Sequence, residues 1–71
     1  MEIEKGFIFY HNQGGTGYKS YVVDIIKDGE KSLVIWKWYG KHKQWWHYKI
    51  ENLWGFEHAF ELGSYKQENN F

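Results

Sequence analysis

Cysteine is absent from the 71 residues. That excludes disulfides, thiolate nucleophiles and thiolate metal sites together, so a domain of this size has to be held by its core alone. Arginine is absent too, and nine lysines carry all the fixed positive side-chain charge. The planar fork that reads guanine edges and grips phosphates is therefore missing. Net charge is also lacking, because nine acids balance the lysines. No global field draws the chain to polyanions, and partners must be read from local patches. No apolar run approaches the roughly 18 residues that span a bilayer. Met1-Glu2-Ile3-Glu4-Lys5 lacks the basic start and apolar stretch of a secretion signal. The expectation is a cytoplasmic chain with no membrane contact, forming one small domain. Lysine without arginine also fits an A/T-rich coding source, such as a low-G+C bacterium or one of its phages.

Aromatic residues are plentiful: five Trp, six Tyr and five Phe make up 23% of the chain. Each buried ring removes on the order of 150 to 250 Å² from water, a driving force able to replace covalent staples. A domain this small has too little interior for all of them, so several rings are expected at the surface. Those rings pose the functional question.

Gly6 to His11 is an aromatic and β-branched run that predicts a first strand. Asn12 to Gly17, with three glycines in six residues, predicts a mobile loop. Tyr18 to Ile26 predicts a second strand, and Asp28-Gly29 supplies the positive-φ pair of a two-residue type I′ turn. Pairing Lys27 with Glu30 then sets Ile25 opposite Ser32, Val23 opposite Val34, Tyr21 opposite Trp36 and Lys19 opposite Trp38. A third strand, Ser32 to Tyr39, and a fourth, Trp45 to Ile50, flank a five-residue link. If Tyr39 pairs with Trp45, then Trp38 meets Trp46, Trp36 meets Tyr48 and Val34 meets Ile50, extending the same apolar face. That face is the expected core. The register depends on an odd link, since a slip of one residue scatters lysines and tryptophans over both faces.

Residues 52–65 fit two periods. Phe56, His58, Phe60 and Leu62 alternate as in a strand. Asn52 as cap, Leu53, Phe56 and Phe60 as a stripe and Gly63 as stop read as a helix, although Gly55 lies inside it. The strand is preferred, with Glu51 to Gly55 as a one-turn helical link into it. The domain is expected to span residues 1–65, with 66–71 a disordered tail. The predicted class is all-β, a small five-stranded antiparallel and partly open barrel with a short helical turn before the last strand. This order of elements resembles SH3-like and Tudor-like barrels, a resemblance of architecture that assigns no ligand residues.

Trp36 to Lys49 holds four lysines, two histidines, four tryptophans, two tyrosines and no acid. The expected contact surface is its outer face and loop: Lys37, Tyr39, Lys41, His42, Lys43, Trp45, His47 and Lys49. Exposed Trp and Tyr suit a protein interface. The same residues suit single-stranded RNA or DNA, with rings stacking on bases and lysines meeting phosphates. Filling a core with tryptophans and solvating the outer face with lysines is a third reading of the same hairpin. The preferred reading is a non-enzymatic binding module with a protein partner, monomeric or weakly dimeric, and single-stranded nucleic acid is the alternative. No cofactor is expected. The histidine spacing matches no metal motif, Gly14 to Gly17 lacks the surroundings of a phosphate-binding fingerprint, and Ser20, Ser32 and Ser64 lack a nucleophile's setting.

Overall fold

The computed structural model describes residues 2–41 and 44–67. Its elements are β1 (Ile8–Gln13), β2 (Thr16–Asp28), β3 (Lys31–Tyr39), β4 (Trp46–Asn52), α1 (Leu53–Glu61) and β5 (Tyr65–Lys66). The five strands form one antiparallel sheet in the order β4-β3-β2-β1-β5. The fold is mostly β, with one short helix before the last strand. No ladder joins β4 to β5 among the described residues, so both sheet edges stay open there.

Three connections differ from expectation, each for a local backbone reason. The glycine-rich segment is a tight hairpin instead of a mobile loop. Gln13 pairs with Thr16 and Asn12 with Gly17, and Gly14 and Gly15 both take the positive φ of a two-residue turn (60° and 85°). The next turn is Gly29-Glu30, because Asp28 pairs with Lys31. Gly29 has φ 63° and Glu30 has no positive φ, the pattern of a type II′ turn, which needs glycine only at its first central position. Near the turn each β2 residue therefore meets a partner two positions beyond the predicted one, Ile25 pairing with Val34 in place of Ser32, so the same residues still share a face. A β-bulge between Val22 and Asp24 shifts them again, so Val22, not Tyr21, meets Trp36. In the third connection Gly40 N donates to Trp45 O, and Gln44 N donates to Gly40 O with Gln44 at φ 57°. The even count moves β4 by one: Tyr39 pairs with Trp46, Trp38 with His47, Trp36 with Lys49 and Val34 with Glu51.

A slip of one residue turns a strand over. The inner face carries Phe9, His11, Ser20, Val22, Val34 and Trp36, all buried, together with Trp38, His47, Lys49 and Glu51 by register. Trp46, Tyr48 and Ile50, expected in the core, lie on the opposite face and are exposed.

Residues 53–61 are helical, not the strand that was preferred. The Asn52 side chain accepts from Trp54 N at 2.9 Å, Leu62 N donates to His58 O, and Gly63 turns the chain at φ 83°. Those caps let Phe56 and Phe60 share one stripe and reach Phe9, with ring centroids 5.0 and 5.7 Å away. Phe56 is fully buried. The last strand shrinks to Tyr65–Lys66 beside β1, where Lys66 pairs with Tyr10. Lys66 thus belongs to the sheet and not to the predicted tail, of which residues 68–71 lie outside the described residues. No helix is long and apolar enough to cross a membrane among the described residues.

Candidate functional site

The predicted surface divides between the two faces of the sheet. Lys37 and Tyr39, in β3, lie on the outer face. The Lys37 Nζ sits 4.4 Å from the Trp46 ring centroid, near enough for a cation–π contact. Tyr39 is exposed, meets Trp46 edge-on at 5.5 Å and donates its hydroxyl to Gln44 O at 2.8 Å. His47 and Lys49 alternate onto the inner face. The His47 ring stacks on Trp38 at 5.1 Å, and the Lys49 Nζ lies 6.0 Å from the Trp36 ring centroid. Trp45 is exposed and tilts against His47 at 6.1 Å. Lys41 reaches 5.8 Å from the Tyr18 ring centroid. His42 and Lys43 lie outside the described residues. The six described residues do not form one surface, because the register that united them is displaced by one position in β4.

The outer face gathers a different set. Ile8, Tyr21, Lys37 and Tyr48 run across all four long strands in one row, and Tyr39 and Trp46 form the next pair. Trp46 also meets Tyr21 edge-on at 5.9 Å. Beyond them lie Asp24, Ile35 and Ile50, then Ile26, Leu33 and Asn52. Helix α1 packs on the other side of the sheet, so this face has no cover among the described residues. Tyr48 is 60% exposed and Ile50 is 61% exposed.

The inner face is only partly covered. Under α1 the Glu51 carboxylate Oε2 accepts from Trp36 Nε1 at 2.7 Å and from the Tyr65 hydroxyl at 2.6 Å. Burial, reinforced by this carboxylate, pushes the Tyr65 hydroxyl far above the usual phenol range. Toward the other end, His11 packs edge-on against Trp36 and Trp38 at 5.0 and 4.8 Å and stacks with Tyr18 at 5.4 Å. Its Nδ1 is 2.7 Å from Ser20 Oγ, and that hydroxyl donates to Tyr18 O at 3.1 Å. The single hydroxyl proton is committed to the carbonyl, so Nδ1 carries a proton and donates to Ser20, leaving Nε2 with a bare lone pair. Burial lowers the imidazole to about 4, Lys49 adds to the lowering, and Gln13 and Glu51 oppose it. The ring is therefore neutral near pH 7.

His11, Glu51 and Trp38 were not among the predicted site residues. For His11 the signal was its place two residues from Phe9 in a strand; for Glu51 the displaced register hid it. Among the described residues no group of three or more His, Asp or Glu side chains is gathered to hold a metal ion. Geometry defines the class: a small antiparallel single-sheet domain, covered by one helix on part of one face and bare on the other. Comparison with protein-family models, curated proteins and solved structures returns no match.

Proposed function

We propose that this chain is a non-enzymatic binding module that docks onto a protein partner through the outer face of β3 and β4. The observation that carries this reading is the uncovered apolar row Trp46, Tyr48 and Ile50, which continues into Tyr39, Ile8 and Ile26, all exposed. Large contiguous apolar patches on small soluble domains mark interaction surfaces, and Trp and Tyr dominate their binding energy. Lys19 and Lys37 lie among the rings, and the flat outline of a sheet face suits a partner surface of similar flatness with acidic groups at its rim.

Single-stranded nucleic acid is the second reading, favoured by the interleaving of Lys19 and Lys37 with Tyr10, Tyr21 and Trp46. Against it, both lysines are drawn onto rings, at 5.9 Å from Tyr21 and 4.4 Å from Trp46. Ile8, Ile26, Leu33, Ile35 and Ile50 on the same face are aliphatic and offer nothing to a phosphate or a base edge.

The test is affinity capture with the full chain, followed by measurement of the captured protein's affinity at low and moderate salt. A partner held by apolar area loses less than about threefold between the two salts, and the Tyr48→Lys/Ile50→Lys double variant loses more than about tenfold. Labelled homopolymers that bind with a salt slope of about −0.7 per neutralised phosphate, and lose binding in Lys19→Glu/Lys37→Glu, would reverse the assignment.

A further inference from the structure

Helix α1 leaves part of the inner sheet face uncovered, on the side opposite the docking surface. Two adjoining clefts lie there. One, of about 240 Å³, is lined by His11, Gln13, Trp36, Trp38, Lys49 and Tyr65, with Asn12 at its margin. The other, of about 420 Å³, shares Gln13 and Trp38 and runs on past Tyr18 and His47 to Lys41. Together they approach the volume of ordinary small-ligand sites.

His11 is 6% exposed, and its Nε2 has no hydrogen-bond partner among the described residues. A buried acceptor without a partner is costly and calls for an explanation. Nδ1 faces Ser20 on β2, so the Nε2 lone pair points away from that strand, and the imidazole lines the smaller cleft. The remaining chemistry narrows what fits. The group that meets Nε2 has to donate an N–H or O–H. The surroundings are aromatic, which selects a flat body. No carboxylate lines either cleft among the described residues, so there are few acceptors for the many hydroxyls of a sugar. Lys49 stands at one end and Lys41 at the other, which selects negative charge and rejects cations.

We propose that the cleft binds a nucleotide: the base takes the place of the Gln13 side chain beside His11, next to the Trp36–Trp38 pair, and donates an N–H to His11 Nε2, and the phosphate meets a lysine at the rim. Gln13 is exposed, lines both clefts and neighbours the imidazole. Its side chain is the movable cover that swings aside to admit the base.

The experiment is a titration of the full chain with each of the four nucleoside 5′-monophosphates, followed through the ¹⁵N shifts of the histidine rings. Ribose 5-phosphate and inorganic phosphate are the control probes. The expected result is a saturable shift at His11 Nε2 with at least one nucleotide and none with either control. His11→Asn keeps an amide donor for Ser20 and lacks the Nε2 acceptor, so it should weaken binding at least about tenfold. Gln13→Ala changes only an exposed side chain and should tighten it. No shift at Nε2 with any nucleotide up to millimolar levels overturns the proposal. So does an equal response to ribose 5-phosphate or phosphate, which would mean anion contact with the lysines only, and so does unchanged or weaker binding by Gln13→Ala. Because docking of a protein uses the opposite face, Tyr48→Lys/Ile50→Lys should leave nucleotide binding intact, and failure of either reading is seen separately.

Discussion

His11 is held neutral by its surroundings, and neutrality links it to stability. An unfolded histidine titrates near 6.5, whereas burial takes the folded one to about 4. Between those values the unfolded chain binds the additional proton, so stability from this residue is complete above the upper value and is lost as pH falls toward the lower one. The loss is at most about 3 kcal/mol over that interval. Denaturant midpoints between pH 7.5 and 4.5, compared with those of His11→Asn, isolate it from the carboxylates. The wild-type midpoint should fall more steeply, and parallel curves would show that the ring is not buried as described. His11 was visible in the sequence as the end of the first strand, two residues from Phe9, and as one of four histidines without a metal spacing. Nothing in linear order places Ser20 beside its Nδ1 or Trp38 across its edge, since both contacts come from strand pairing.

At the scale of elements, strand positions were legible and their register was not. Asp28-Gly29-Glu30 accommodates a two-residue turn beginning at either Asp28 or Gly29, and the II′ choice moves the partner of each β2 residue by two. The bulge at Val23 and the even connection after Tyr39 have no marker in composition. Since side chains alternate, the one-residue shift at the connection after Tyr39 moved Trp46, Tyr48 and Ile50 out of the core and exchanged Glu51 and Lys49 for them. Helix α1 illustrates the reverse case. Its cap Asn52, its apolar stripe and its stop Gly63 were all readable, and Gly55 weighed against them. Gly55 has helical backbone, no positive φ, and open space where a Cβ would stand. Its cost is intrinsic, so Gly55→Ala should stabilise the domain by about 0.5 to 1 kcal/mol and raise the melting temperature by several degrees. A lowered melting temperature would mean that the helix packs more tightly at this position than its geometry indicates.

For the molecule as a whole, a sheet with one helix provides cover for one face at most. Phe9, Trp36, Phe56 and Tyr65 form the shared core beneath α1, with Phe9 within 5.2 Å of the other three rings, and the outer face contributes little to it. Tyr48 and Ile50 keep 60% and 61% of their surface in water, so the folded domain gains little from either. Replacing both with lysine should change the unfolding free energy by no more than about 0.5 kcal/mol per site. Part of that change is a like-charge term, because Tyr48 lies opposite Lys37 in the β3–β4 ladder. The same replacement should raise solubility and suppress edge-to-edge association along β4, where Trp46 to Asn52 ends the sheet without a neighbour among the described residues. Chemical denaturation and sedimentation over a wide concentration range check the two halves together. A stability loss of several kcal/mol would show that this face belongs to the core. An unchanged midpoint with reduced self-association would show that its rings and isoleucines are kept for contact with another surface.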